Sequence, residues 1–211
     1  MTDNKVRLSI IDDDDAVLDS LRLLLAGERY DVQCYRSAED FLSDAPSRSS
    51  TTCVISDVRM PGLSGLDLQL ELSKTQAAVP LILITGHGDI AMAVKAVKAG
   101  AYDFLEKPLD EERLVQSIES AVEGQHKRRQ LAETVALFRR RVAELSDRQR
   151  QVMDLAVAGL PNKEIAQQLG ISPRTVETYR AWVMEKTGAR NLAELVRMVM
   201  LMEQHDTGNV H

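Results

Sequence analysis

Thr52-Cys53-Val54-Ile55-Ser56-Asp57 decides how this chain folds: small and apolar residues lead to a single carboxylate, and Val58-Arg59-Met60-Pro61-Gly62 follows. A short apolar run with β-branched residues, closed by a Pro-Gly signal, reads as a buried strand. Asp57 then stands at the strand's C-terminal end, on the sheet rim where open α/β folds place their chemistry. A lone Asp there reads first as a turn former or helix cap. The residues at the other strand ends change that reading.

To the N-terminal side, the apolar run Val6 to Ile11 ends in Asp12-Asp13-Asp14-Asp15, and Val17, Leu18, Leu21, Leu24 and Leu25 recur at helical spacing. Val32 to Tyr35 reads as a short strand, and Ser37 caps a helix with Glu39 and Asp40 in its first turn. Beyond Asp57, Leu66, Leu68, Leu70 and Leu72 populate a helix. Pro80 opens the strand Leu81–Ile84, which ends at Thr85-Gly86-His87-Gly88. Ala91, Val94, Ala96 and Val97 form a helix stopped by Gly100. A strand from Tyr102 to Leu105 ends at Lys107-Pro108, and Leu114, Ile118 and Val122 begin another helix. Five strand–helix units in alternation predict a parallel sheet with helices on both faces.

The chain has 211 residues, 44% hydrophobic and 27% charged, ordinary values for a globular protein of one or two domains. No apolar run has the length of a membrane span, and the N-terminus does not read as a signal peptide. Cys34 and Cys53 fall in predicted strands as reduced thiols, which implies a cytoplasmic location. The net charge of −6 is uneven: residues 1–120 carry 12 Lys+Arg against 21 Asp+Glu, residues 121–211 carry 14 against 11. Any contact with a phosphate backbone therefore belongs to the second half.

In a parallel sheet, Asp12-Asp13, Asp57, Thr85 and Lys107 share one rim. Crowded carboxylates repel one another, and a hard divalent cation relieves them. Oxygen ligands without thiolate or imidazole point to Mg²⁺. A nucleophilic carboxylate, a metal, an ammonium and a hydroxyl around one spot suit in-line phosphoryl transfer to an Asp. His87, between two glycines, reads as a surface or structural residue.

The connector from Val122 to Leu145 places Leu131, Val135, Phe138, Val142 and Leu145 at steps of four and three, too short a run for an established coiled coil. Its basic groups, Lys127-Arg128-Arg129 and Arg139-Arg140-Arg141, read as solvated faces. Ser146 then caps a helix that Gly159 ends. A second runs from Pro161 to Gly170, and a third has Pro173 at its first position and ends at Gly188. The turn Leu169–Ser172 between two short helices matches a helix-turn-helix. Val176, Tyr179 and Val183 face the core, which leaves Arg174, Thr175, Glu177, Thr178, Arg180 and Ala181 outward, within reach of a major groove.

Residues 6–120 resemble the receiver domain of two-component response regulators, on Ile10-Ile11-Asp12-Asp13-Asp14, Asp57 through Gly62, Ile84 through Gly88 and Asp103 through Pro108. The resemblance implies a flavodoxin-like 2-1-3-4-5 sheet with Asp57 as phospho-acceptor. One Mg²⁺ would sit on Asp12, Asp13, Asp57 and the Arg59 main-chain carbonyl. Thr85 and Lys107 would be the phosphate-binding switch pair, Phe104 the aromatic switch residue, and a sensor histidine kinase the phosphodonor. Residues 146–204 resemble the LuxR-type DNA-binding domain, on Leu145-Ser146, Arg150-Gln151-Val152, Gly159 through Ala166 and Ile171 through Glu177. That implies contacts to double-stranded DNA from Lys163, Arg174, Thr175, Glu177, Thr178, Arg180 and Lys186. Leu192, Leu195, Val196, Val199 and Met200 would make a dimer contact on DNA. The combination is similar to the FixJ-type subfamily. It implies a receiver over 5–122, a helical linker over 123–145 and a four-helix domain over 146–206. The expected protein is a cytoplasmic transcription regulator that dimerises on phosphorylation and works with RNA polymerase.

Three rival readings stand beside this one. A phosphohydrolase or mutase built on Asp57 would want an acid two positions on, where this chain has Arg59, so the chain is not read as an enzyme beyond its own phosphotransfer. The second half could instead dock RNA or protein. The DNA reader could also act independently of phosphate.

Overall fold

The computed structural model describes residues 5–74, 79–86 and 90–207; His87 lies outside them. The chain divides into two units, residues 1–127 and 128–211.

In the first unit, β1 (Val6–Ile11), β2 (Tyr30–Tyr35), β3 (Cys53–Asp57), β4 (Leu81–Thr85) and β5 (Asp103–Glu106) form one sheet in the order β2-β1-β3-β4-β5. Every neighbouring pair is parallel. The helices are α1 (Asp15–Leu25), α2 (Ala38–Ser43), α3 (Ala45–Ser50), α4 (Gly65–Ser73), α5 (Ile90–Lys98) and the start of α6 (Glu111–Ala143). All residues of β3 and β4 are buried, whereas edge strand β2 alternates. That is why the central strands read as unbroken apolar runs.

Successive residues of a strand point to opposite faces, and two cores result. Leu8, Ile10, Ile55, Ile82 and Ile84 pack with Leu18 and Leu21 of α1 and Leu114 and Ile118 of α6. Ile11, Val54, Leu81 and Leu83 pack with Phe41 of α2, Leu68 and Leu72 of α4 and Ala96 of α5. Helices thus cover both faces, as the alternation predicts. The register sets Ile11 beside Ser56 and Asp57 beside Ile84. Asp12, Asp57, Thr85 and Lys107 accordingly end up along one edge.

The second unit contains α7 (Asp147–Val157), α8 (Asn162–Leu169), α9 (Pro173–Thr187) and α10 (Leu192–Thr207). Ser146 caps α7 in a capping box with Gln149, and Ser172 caps α9. One core joins Val152, Ala156, Ile165, Ala166 and Val176. The other joins Met153, Val183, Leu195, Met198 and Val199 with Phe138, Val142 and Leu145. This second core draws on the stretch read as connector.

Candidate functional site

The acidic run after β1 is divided among distinct tasks. Asp12 is buried, with Oδ1 accepting the Asp14 amide at 2.9 Å. Asp13 is exposed. Asp14 caps α1 through the Ala16 amide, and Asp15 pairs with Arg36 at 2.7 Å. Strand β3 delivers Asp57 to the same edge, 8% exposed. The Lys107 ammonium, following β5, bridges the two buried carboxylates at 2.8 Å to Asp12 Oδ2 and 2.8 Å to Asp57 Oδ1. Burial alone would lower the Lys107 pKa, but the hydrogen bonds and charges of Asp12 and Asp57 outweigh it and hold it above the ordinary lysine value.

The other oxygen of Asp57, Oδ2, accepts the Arg59 amide at 2.6 Å, so the loop carrying the Arg59 carbonyl folds back over the carboxylate. Thr85 is buried at the end of β4, and its carbonyl accepts the Lys107 amide at 2.8 Å. Phe104 is half-buried against the core face that includes Leu83 and Ala96.

Two residues of this site carry no signal in local sequence. Glu39 of α2 accepts the Leu63 amide at 2.8 Å and so ties α2 to the loop after β3. Gly65 opens α4 against the Asp57 carbonyl; a Cβ there would run into that oxygen and lie 2.8 Å from Leu83 Cδ2.

Among the described residues, no three or more His, Cys, Asp or Glu side chains gather closely enough to hold a metal ion. Asp12 and Asp57 nonetheless converge on one cation, the Lys107 ammonium. Their hard carboxylate oxygens fit Mg²⁺, which needs only one or two protein carboxylates and keeps several waters.

In the second unit, α8 and α9 meet through the turn Gly170–Ser172. Arg174, Glu177, Thr178 and Ala181 are exposed on α9, as is Lys163 on α8, while Thr175 and Arg180 are half-buried. The Thr175 amide and hydroxyl bond Ser172 at the helix cap, and the Thr178 hydroxyl donates to the Arg174 carbonyl at 3.1 Å. Arg180 donates to Asn162 Oδ1 at 2.8 Å and ties the two helices together. Lys186 donates within the unit, to the Glu144 carbonyl at 3.2 Å and Gln149 Oε1 at 3.0 Å. Of the residues expected at a dimer contact, Leu195 and Val199 lie in the unit's own core. Leu192 and Val196 are half-buried, and Met200 is 55% exposed.

Residues 8–119 match the response regulator receiver domain family, and residues 143–199 match the bacterial regulatory proteins of the luxR family. The chain is similar to the transcriptional regulatory protein FixJ of Bradyrhizobium diazoefficiens, 47% identical over 199 residues, 93% of this chain and 95% of that protein. It is 44% identical over 200 residues to FixJ of Rhizobium meliloti, 95% of this chain and 97% of that one. The solved structure of the response regulator StyR superposes with a TM-score of 0.75 at 39% identity, over 93% of this chain and 98% of that one. Full-length FixJ from B. japonicum gives 0.58 at 45% identity, over 95% and 98%. No described helix is long and apolar enough to cross a membrane. A parallel sheet with a lysine-bridged carboxylate pair on its rim, followed by a helix-turn-helix, places this chain in the two-component response regulators that join a receiver to a LuxR-type DNA-binding domain, in the FixJ-like group.

Proposed function

We propose that Asp57 takes a phosphoryl group from a phosphohistidine of a sensor histidine kinase, and that this controls how the second unit binds double-stranded DNA and activates transcription. The observation that carries this reading is the Lys107 ammonium, 2.8 Å from both Asp12 and Asp57. There two buried carboxylates and a cation meet on the sheet rim.

In the reaction, a carboxylate oxygen of Asp57 attacks phosphorus in line with the leaving imidazole. The O–P bond forms as the P–N bond breaks, and the electron pair stays on the imidazole nitrogen. The attacking carboxylate is already anionic, so the step needs no general base. Mg²⁺ would be held by Asp12, Asp57 and the Arg59 carbonyl, with the exposed Asp13 carboxylate turning in to join them, and would supply positive charge against the equatorial oxygens. Lys107 stays beside Asp57 and pairs with the new phosphoryl oxygens. Thr85 donates its hydroxyl to them, and Phe104 follows it inward. The altered surface favours a homodimer, which sets two α9 helices on paired half-sites. Lys163, Arg174, Thr175, Glu177, Thr178 and Arg180 read the duplex, Val196 and Met200 extend the contact on DNA, and RNA polymerase is the downstream partner.

Intact-mass measurement with Mg²⁺ and a small acyl-phosphate donor should show one phosphoryl addition, absent in Asp57→Asn. A bandshift with and without donor should show tighter DNA binding in the phosphorylated sample. Equal affinity in both samples, and in Asp57→Ala, would leave a DNA-binding regulator that ignores phosphate.

A further inference from the structure

The last four carbonyls of a helix have no partner within it, and they carry the negative end of its dipole. In the second unit, the ends of α6 and α9 are each met by a cation from the other helix. Arg141, in the last turn of α6, donates from Nη1 to the carbonyl of Thr187, the final residue of α9, at 3.1 Å. Lys186, in the last turn of α9, donates to the carbonyl of Glu144 just past the end of α6, at 3.2 Å. A third cation, Arg150 of α7, donates to the Val142 carbonyl at 3.1 Å.

Two further observations bear on this pairing. Gly188, the C-cap of α9, has φ of +76°, and a Cβ there would run into the Arg141 guanidinium. The guanidinium thus occupies the space a side chain at Gly188 would need. Beneath the polar contacts, Phe138, Val142 and Leu145 share a buried core with Val183 and Ala189 at the C-terminal end of α9.

We infer that Arg141 and Lys186 are positioning residues of the DNA reader: their reciprocal caps fix the angle between the end of α6 and α9, and so the orientation in which Arg174 and Glu177 meet a groove. This rests on the DNA-binding reading above. It gives Lys186 a different task from a phosphate ligand, and the two tasks leave different traces. Loss of a phosphate contact weakens binding to every sequence alike and lowers the salt slope by about one. Loss of a positioning residue weakens the selected sequence above all and leaves the slope alone.

The test uses the full chain, a duplex selected from random sequence by the wild-type protein, and a scrambled duplex, each titrated across a salt series. Arg141→Met and Lys186→Met should each bind the selected duplex about tenfold more weakly, with unchanged slope and nearly unchanged binding to the scrambled duplex. Arg141→Lys should recover much of the loss. Arg141→Gln, a shorter and neutral donor, should show a partial loss of the same kind and serves where Arg141→Met folds poorly. Equal weakening on both duplexes with a reduced slope would make these residues phosphate ligands and overturn the inference. So would variants that match wild type on the selected duplex. If the wild-type chain selects no duplex at all, the DNA-binding reading itself fails, and this inference with it.

Discussion

Glu39 and Leu63, which come from different elements of the receiver, are joined by a hydrogen bond of 2.8 Å from the Leu63 amide to Glu39 Oε1. The contact ties the first turn of α2 to the loop that follows Asp57, and that loop also returns the Arg59 amide to the Asp57 carboxylate. A solvent-exposed hydrogen bond of this kind contributes about 0.5–1 kcal/mol. Glu39→Ala should therefore slow phosphorylation of Asp57 several-fold with little change in melting temperature. Glu39→Gln keeps an acceptor oxygen and should stay near wild type. Rates of phosphoryl gain by intact mass compare the two; equal rates in all three proteins would show that the loop needs no brace.

Gly65 makes a harsher demand. A methyl group there meets the Asp57 carbonyl and the side chain of Leu83, both fixed in the sheet. Neither neighbour has room to retreat, so Gly65→Ala should cost about 2–4 kcal/mol in stability. It should also displace Asp57 enough to lower its phosphorylation. Urea unfolding, followed by phosphoryl gain at a concentration where the variant remains folded, separates the two effects.

These two residues also show where sequence stops being informative. The central strands were legible because burial on both faces leaves a continuous apolar signature, and Asp12, Asp57, Thr85 and Lys107 were legible because each ends a strand. Edge strand β2 begins at Tyr30, earlier than Val32, because its exposed side carries Asp31 and Gln33 and mimics a loop. The Ser-rich stretch after Ser43 hides α3, with Asp44 closing α2 and capping α3 at once. The alternating leucines of α4 contribute Leu68 and Leu72 to the core, while Leu70 is 53% exposed. Glu39 and Gly65 act on residues brought near only by the fold, so no local pattern announces them. Arg141 read as part of a solvated basic face because its carbonyl partner is 46 residues away.

The Lys107 ammonium holds apart two carboxylates that would otherwise face each other in a buried place. Lys107→Met removes the cation that bridges them and should destabilise the metal-free protein by about 2–4 kcal/mol. Mg²⁺ bound at these carboxylates would replace the missing positive charge, so Mg²⁺ should raise the melting temperature of Lys107→Met more than that of wild type. An equal shift in both proteins would show that ammonium and metal do not share these carboxylates.

Burial pushes the Cys53 thiol up to about 12, from an ordinary 9.0. The folded state therefore keeps a proton that the unfolded chain releases once pH passes its own thiol value. Stability from this group is complete below that value and drains away as pH climbs toward the folded one. Between pH 9 and 10.5 the loss is about 2 kcal/mol, since each unit of pH corresponds to about 1.36 kcal/mol. Cys53→Val has no proton to lose and should show a shallower alkaline decline in urea stability. Parallel declines in the two proteins would place the alkaline sensitivity elsewhere.

Arg174 and Arg180 stand on the same helix with different surroundings, and they should fail differently. Arg174 is exposed near the start of α9, a position suited to a phosphate or base edge, whereas Arg180 is half-buried and donates to Asn162 of α8 at 2.8 Å. Arg174→Ala should leave the melting temperature unchanged, weaken DNA binding and, if it meets a phosphate, reduce the salt slope by about one. Arg180→Ala breaks the tie between the two helices of the reader and should cost about 1 kcal/mol of stability. It should also weaken binding to a selected duplex while leaving most of the slope in place. Thermal melts and salt-dependent binding on the same two variants decide this. An Arg180→Ala protein as stable as wild type, with a salt slope reduced by a full contact, would reassign Arg180 from bracing the motif to gripping the backbone.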